Sequence, residues 1–275
     1  MPELPEVETT RRGIATVMCG KPVRRFTVFE HRLRWPVPDD IEKKLQDQTV
    51  MACERRGKYL LLHFAQGVQI VHLGMSGSLR TVPLDEPLRK HDHAEWLMDD
   101  VRILYHDPRR FGAILWHDHR QGPLLQHPLL AHLGVEPFEP AFTPEFLHHG
   151  LQKRKQSIKQ ALLAGDVVVG VGNIYASESL FKARINPKTA AGRLSFTRCQ
   201  ALHTAIKETL TQALESGGST LRDYVNATGQ PGAYFSLHAA VYEREGKPCP
   251  ACKTPIRRLV QGQRATYYCP SCQRR

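Results

Sequence analysis

The apolar residues in the first half of the chain predict one helix followed by short strands. Leu4, Val7, Ile14, Val17 and Met18 recur at helical spacing, which indicates a helix at the start of the chain. Further apolar runs are strand-sized and separated by Gly, Pro and Asp, at residues 59–64, 68–73, 94–98, 101–106 and 112–116. We predict an antiparallel β-sandwich domain at residues 1–134, with the helix packed against it.

In the second half of the chain, the spacing of the apolar residues changes to that of helices. Prolines 137, 140 and 144 interrupt the pattern, so we place a linker at residues 135–150. Leu202, Ile206, Leu210 and Leu214 then repeat every four residues, behind a predicted capping box of Thr197 and Gln200. We predict a helical domain at residues 151–240 and a C-terminal segment at 241–275. The fold class is therefore α+β, with several domains.

Composition narrows the choice of partner. The chain has 275 residues, of which 41% are hydrophobic, and this argues against a disordered or fibrous protein. A formal net charge of +11 points to a polyanion such as nucleic acid. No run of 18 apolar residues is present, and the N-terminus lacks the layout of a signal peptide. We expect a cytoplasmic protein.

The cysteines predict a metal site near the C-terminus. The spacing C-x2-C-x16-C-x2-C is typical of one structural Zn2+ with four thiolate ligands, here Cys249, Cys252, Cys269 and Cys272. A hairpin turn at Gln261 and Gly262 would place Arg264 on one arm of this basic finger, which fits phosphate contact. The alternative is a solvated tail. The remaining cysteines, 19, 53 and 199, are interpreted as core residues or unreactive thiols.

Three loops carry residues suited to DNA. The glycine turn at 170–173 would present backbone N–H groups to an anion, with Asn173 as a helix cap. Met75 in one loop, and Arg109 and Phe111 in another, suit insertion into a base stack from which a nucleotide has been flipped out. The alternatives are an ordinary turn, and core positions for Met75 and Phe111.

The first residues hold a potential nucleophile. Removal of Met1 would leave Pro2 with a free secondary amine, and α-amino groups titrate near pH 8, so part of it is uncharged at neutral pH. Glu3 and Glu6 follow within one helical turn and could supply acid catalysis. Plain helix initiation is the alternative, because Pro and acidic residues are both favoured at helix starts.

Six motifs occur together in one order along the whole chain. They are residues 2–8 (PELPEVE), 56–59 (RGKY), 72–77 (HLGMSG), 107–112 (DPRRFG), 170–176 (GVGNIYA) and the four-cysteine finger. This set closely resembles bacterial formamidopyrimidine-DNA glycosylase. The resemblance implies a helix-two-turn-helix domain after the sandwich and a zinc-finger β-hairpin at the end. Glu243 and Lys253 stand where the family more often has glycine, and left-handed backbone is expected at Lys253, which directly follows a zinc cysteine.

The resemblance also implies roles for individual residues. Pro2 would be the nucleophile, Glu3 the general acid, Lys58 the β-elimination residue and Arg264 the δ-elimination residue. Met75, Arg109 and Phe111 would fill the void in the duplex, and the segment 219–235 would close over 8-oxoguanine. Further DNA contacts implied in this way are His91, Arg154, Lys159 and Asn173. The implied protein is a monomeric repair enzyme at the bacterial nucleoid, acting on double-stranded DNA with oxidised bases or abasic sites.

Two other functions stay open at this point. The same fold could act on oxidised pyrimidines, as the related endonuclease VIII branch does. The chain could also be a basic zinc-finger protein that binds distorted DNA without cutting it. Only Pro2, Glu3 and Lys58 argue against that second alternative.

Overall fold

The computed structural model describes residues 2–219, 227 and 232–274. It divides into two compact units, an N-terminal unit of Met1–Ala131 with Leu214–Phe235 and a C-terminal unit of His132–Ala213 with Ser236–Arg275. In the first part of the chain the elements are α1 (Leu4–Met18), β1 (Pro22–Val23), β2 (Arg25–Val28), α2 (Ile41–Leu45), β3 (Gln48–Thr49), β4 (Ala52–Arg56), β5 (Tyr59–Phe64), β6 (Gly67–His72), β7 (Ser78–Val82), β8 (Asp92–Leu97), β9 (Arg102–His106) and β10 (Ala113–Asp118).

The N-terminal unit is an antiparallel sandwich, as predicted. One four-stranded sheet has the order β10-β6-β5-β4 and the other β2-β8-β9-β7, while β1 and β3 pair separately. Alternate residues of both sheets enter one core that includes Phe64, Trp96 and Tyr105. Helix α1 adds Val7 and Ile14 to this core, because its apolar residues recur on one face.

The remaining α-helices and strands lie wholly or partly in the C-terminal unit. These are α3 (Pro144–Leu151), α4 (Ile158–Ala164), α5 (Asn173–Lys182), α6 (Phe196–Glu215), α7 (Tyr234–His238), β11 (Arg257–Gln261) and β12 (Arg264–Tyr268). Strands β11 and β12 form the predicted hairpin. Among the described residues, no helix is both long and apolar enough to span a membrane.

Several local predictions need correction. Pro144 starts α3 inside the predicted linker, because its fixed φ suits the first turn of a helix and Thr143 caps that turn. Helix α6 begins at Phe196, so the predicted capping box at Thr197 is wrong, and the Ser195 hydroxyl accepts from the N–H of Arg198 instead. Cys53 and Cys199 are buried, whereas Cys19 is exposed at the end of α1.

The segment 219–235 groups with the N-terminal unit, although the sequence pattern places it in the helical domain. Its described residues bond to that unit. The Ser219 N–H donates to Glu6 Oε1 at 2.6 Å, and the Thr81 N–H donates to the Ala227 carbonyl at 2.9 Å. Residues 220–226 and 228–231, on which the predicted lesion loop mainly rests, lie outside the described residues.

Candidate active site

The start of α1 buries Pro2 and Glu3 together. Glu3 is 1% exposed and precedes the first helical residue. The Glu6 Oε2 atom accepts the backbone N–H of Glu3 at 2.7 Å, as one half of a capping box, and its Oε1 atom accepts from Ser219. A helix N-terminus favours negative groups, so both carboxylates suit this end of α1. The predicted nucleophile therefore lies beside two buried carboxyl groups, while Met1 is outside the described residues.

Lys58 lies in the tight turn between β4 and β5. Arg56 pairs with Tyr59, so Gly57 and Lys58 form the turn. Burial, followed by the charges of Lys58 and Arg34, lowers the pKa of His72 to about 4. The Nδ1 atom of His72 accepts the N–H of Gly74 at 2.9 Å. Lys58 is thus near a neutral imidazole that fixes the start of the Met75 loop.

The two base-stack loops, residues 74–77 and 107–112, are those predicted to enter the base stack, and they pack against each other. Met75 is half-buried, whereas Arg109 and Phe111 are exposed, so the core alternative fails for Phe111. The Arg109 guanidinium lies 4.9 Å from the centre of the Phe111 ring. A Cβ atom on Gly74, whose φ is +62°, would lie 2.4 Å from the Gly112 nitrogen. The loops therefore touch backbone to backbone.

His91 and Arg154 both have protein partners. His91 is half-buried with a φ of 76°, and its ring centre lies 6.1 Å from that of His93. Loss of hydration, followed by the charge of Lys90, lowers the pKa of His91. Arg154 forms a two-pronged ion pair with Asp166, in which both N–O distances are 2.9 Å. A DNA phosphate would have to replace Asp166 at this guanidinium.

Lys159 and Asn173 both hold the backbone next to Arg264. The Lys159 side chain is fully buried, and its Nζ donates to the Ala265 carbonyl at 2.9 Å and to the Thr266 hydroxyl at 2.8 Å. Asn173 Nδ2 donates to the same carbonyl at 3.0 Å. The structure therefore contradicts a direct phosphate contact for the Lys159 ammonium. Asn173 is also not the cap of α5, because Gly172 occupies that position.

The four predicted zinc ligands come together in the C-terminal unit. Their Sγ atoms all lie within 4.8 Å of one another, with Cys249 and Cys272 at 3.9 Å and Cys252 and Cys269 at 3.4 Å. A tetrahedron with Zn–S bonds of about 2.3 Å has S–S edges of about 3.8 Å. The residues thus fit one zinc ion, which would fix the hairpin that carries Arg264. Lys253 has a left-handed φ of 64°, as expected.

Two buried carboxylates were not found from the sequence. Glu178 accepts three backbone N–H groups, from Ala240, Val241 and Tyr242, at 2.8–3.0 Å. Asp107 accepts donors from both base-stack loops. The only signal for Asp107 is the Asp-Pro start of its loop, which is typical of a turn. Glu178 has no signal, because it occupies an ordinary position of a helix.

Comparison with known proteins agrees with this architecture. Family models match at residues 1–114 for the formamidopyrimidine-DNA glycosylase N-terminal domain and at 133–225 for the H2TH domain of that protein. A third, the zinc finger found in FPG and IleRS, matches residues 246–275. Fold and site thus define a DNA glycosylase of base excision repair that carries a helix-two-turn-helix domain and a structural zinc finger.

Full-length relatives give the family. The formamidopyrimidine-DNA glycosylase of Bordetella pertussis is 65% identical over 275 residues, covering 100% of both chains, and that of Burkholderia lata is 56% identical with the same coverage. The chain belongs to the formamidopyrimidine-DNA glycosylase family. A crystal structure of a Lactococcus lactis FPG mutant with Fapy-dG containing DNA has a TM-score of 0.92 at 33% identity, and covers 100% of both chains. A complex between Lactococcus lactis Fpg and DNA containing an abasic site has a TM-score of 0.91 at 33% identity, covering 99% of this chain and 100% of the other.

Proposed function

We propose that this chain excises oxidised purines such as 8-oxoguanine and formamidopyrimidines, and then cleaves the strand through an N-terminal proline. The observation that carries the proposal is the joint burial of Pro2 and Glu3 at the start of α1, where Glu6 fixes the Glu3 N–H. The Lactococcus lactis structures with Fapy-dG and with abasic DNA support both the base and the abasic substrate.

The first half of the proposed reaction replaces the base by an amine. Once Met1 is removed, the uncharged Pro2 nitrogen attacks C1′ of the damaged nucleotide. The N–C1′ bond forms as the glycosidic bond breaks, and the base leaves with a proton that balances the one lost from the Pro2 nitrogen. Glu3 protonates O4′ as the sugar ring opens, and this step leaves an iminium ion between Pro2 and C1′.

The second half uses that iminium ion to break the strand. It withdraws electrons from C2′, so loss of the C2′ proton expels the 3′ phosphate. Loss of the C4′ proton then expels the 5′ phosphate, and hydrolysis returns the free amine. We assign Lys58 to phosphate binding and the first elimination, and Arg264 to the second. A water nucleophile would form no iminium ion, so one amine links base excision to strand cleavage.

Several side chains would bind the duplex. We propose that Met75, Arg109 and Phe111 occupy the void left by the extruded nucleotide, because their loops adjoin and two of the three are exposed. His91 and the guanidinium of Arg154 would contact phosphates. Backbone N–H groups at the start of α5 would do the same, since helix N-termini favour anions. We further propose that the enzyme acts as a monomer at the nucleoid in the bacterial cytoplasm.

Borohydride trapping on a duplex with 8-oxoguanine opposite cytosine tests the mechanism. Reduction of the iminium ion should give a stable adduct that mass spectrometry maps to Pro2. Changing Pro2 to Glu, whose large side chain keeps Met1 in place, should abolish the adduct, whereas Pro5→Ala in the same turn should retain it. Tight DNA binding with no adduct would favour the non-catalytic alternative. An adduct on any residue other than Pro2 would refute the assignment.

A second candidate substrate is an oxidised pyrimidine. One observation favours it, because a further Lactococcus lactis Fpg structure, with a TM-score of 0.91, contains oxidised pyrimidine DNA. Single-turnover release of thymine glycol and of 8-oxoguanine should be compared on matched duplexes. We expect faster release of 8-oxoguanine, and release of thymine glycol alone would overturn the proposed specificity.

A further inference from the structure

One buried carboxylate joins the two base-stack loops. Asp107 is fully buried. Its Oδ1 accepts the Ser76 hydroxyl of the first loop at 2.9 Å and the Arg109 N–H of the second at 3.3 Å. Its Oδ2 accepts the Gly112 N–H at 2.8 Å. Ser76 directly follows Met75, and Arg109 and Gly112 lie on either side of Phe111 along the chain. The carboxylate therefore links the backbone segments that carry Met75 and Phe111.

The backbone of Asp107 is also fixed. Its N–H donates to the His91 carbonyl at 3.0 Å, and its carbonyl lies 2.9 Å from the Nε2 atom of His93. The Tyr105 hydroxyl donates to the His72 carbonyl at 3.1 Å and lies 3.5 Å from Oδ2. Burial, and then the charge of Asp107, raise the pKa of Tyr105, so this hydroxyl stays protonated beside the carboxylate. A buried carboxylate requires such donors, and their convergence leaves Asp107 little freedom to move.

A local turn alone does not explain this arrangement. An Asp at the start of a loop commonly accepts the N–H two residues later, which accounts for the bond from Arg109. It does not account for Ser76, which lies 31 positions away and belongs to another loop. The close approach of Gly74 to Gly112 shows that the two loops meet at the same place.

We propose that Asp107 is a positioning residue that locks the two loops into one rigid wedge for insertion into the base stack. This inference rests on the proposed function of Met75, Arg109 and Phe111. Two loops that move independently would have to be ordered at the moment of insertion, and the lost conformational freedom would raise the barrier to nucleotide extrusion. An abasic site, which has no base to extrude, should depend less on the wedge.

Two variants test the lock. Ser76→Ala removes the hydroxyl that bridges the loops and keeps the backbone bonds to Asp107. Asp107→Asn keeps the shape but places an amide where a donor now points. Ser78→Ala is the matched control, because Ser78 is 2% exposed and Ser76 is 4% exposed. Each protein is assayed in single turnovers for 8-oxoguanine excision opposite cytosine and for cleavage at a preformed abasic site, with zinc content and Tm as folding checks.

We expect excision to fall about 3- to 10-fold for Ser76→Ala and about 10- to 100-fold for Asp107→Asn, as one and several buried hydrogen bonds are lost. Abasic-site cleavage should stay within about twofold, and Ser78→Ala should change neither. Arg109→Ala is assayed alongside them. Suppose that Arg109→Ala impairs excision but not abasic-site cleavage. If Ser76→Ala then lowers both activities equally, or lowers neither, Asp107 is not a positioning residue. If Arg109→Ala itself loses both equally, the void-filling role is refuted and the inference falls with it. Should Asp107→Asn not fold, Ser76→Ala decides the question.

Discussion

Replacing Glu6 by glutamine should impair base excision more than cleavage of an abasic site. The Glu6 carboxylate is 1% exposed and accepts the N–H groups of Glu3 and Ser219 at 2.7 and 2.6 Å on different oxygens. Glutamine has only one acceptor oxygen, so its amide group would face one of the two N–H donors. The helical turn keeps Glu3 close to position 6, and we therefore expect Ser219 to lose its partner.

The structure sets the size of the effect. A buried hydrogen bond to a charged group contributes about 1.5–3 kcal/mol, and an unsatisfied buried N–H costs about 1–3 kcal/mol. If the backbone at Ser219 shifts to reach water, only the hydrogen bond to the charged group is lost. This loss corresponds to roughly 10- to 100-fold in the population that keeps Ser219 bonded to Glu6. Because the predicted lesion loop begins at Ser219, excision of 8-oxoguanine should fall by a similar factor.

The assay compares the two activities in one protein preparation. Single-turnover excision of 8-oxoguanine should fall for Glu6→Gln, while cleavage of a preformed abasic site should fall by less than about threefold, since no base has to be enclosed. Hydrogen exchange at the Ser219 amide should accelerate. Equal losses on both substrates, with unchanged exchange at Ser219, would refute the reasoning.

Two neighbouring glycines provide a matched check of the same contact. Gly217 and Gly218 have φ values of +71° and +85°, so alanine at either position carries a similar backbone strain of about 1 kcal/mol. A Cβ atom at 218 would lie 2.9 Å from Glu6 Oε1, whereas at 217 no described atom lies within 4 Å. Gly218→Ala should reproduce the loss of excision, and Gly217→Ala should not.

Two further predictions concern other parts of the molecule. Lys159→Met should lower the yield of δ-elimination relative to β-elimination by about 3- to 10-fold, because the two hydrogen bonds from Lys159 to the residues next to Arg264 are lost. Gel analysis of the cleavage products measures this ratio. Lys155→Met is the control, because Lys155 is exposed. An unchanged product ratio would show that Arg264 does not need this support. The pKa of His72 is lowered to about 4, so the folded protein binds this proton less readily than the unfolded chain does. The contribution of a neutral His72 to the free energy of unfolding should therefore be fully present above about pH 6.5 and be lost as the pH falls towards 4. Titration of His72 near pH 6.5 in the folded protein, followed by NMR, would contradict that environment.

Features written in short stretches of sequence were predicted correctly. The four zinc ligands could be found because each Cys-x2-Cys pair supplies two thiolates from one turn of backbone. The apolar face of α1 and the alternation in the strands of the sandwich follow from side-chain periodicity, which is visible in the order of apolar and polar residues along the chain. The left-handed backbone expected at Lys253 is also present.

Errors arose where two local signals competed. Proline both interrupts a helix and starts one, so Pro144 indicated a linker although it begins α3. Thr197 and Gln200 have capping-box spacing, yet α6 begins before them, at Phe196, and the Ser195 hydroxyl accepts the N–H of Arg198. A basic residue beside a glycine turn indicates phosphate binding, and only the structure shows that the Lys159 ammonium is buried.

The sequence by itself determined the family, the zinc ligands, the sandwich and the residues that could carry the chemistry. The tertiary structure decided which polar groups support them. Ser76 bonds Asp107 across 31 positions, Lys159 reaches Ala265 across 106, and Ser219 reaches Glu6 across 213. Such partners leave no periodic or local trace, because a buried carboxylate or ammonium is satisfied by whichever donor or acceptor the packed chain brings to it.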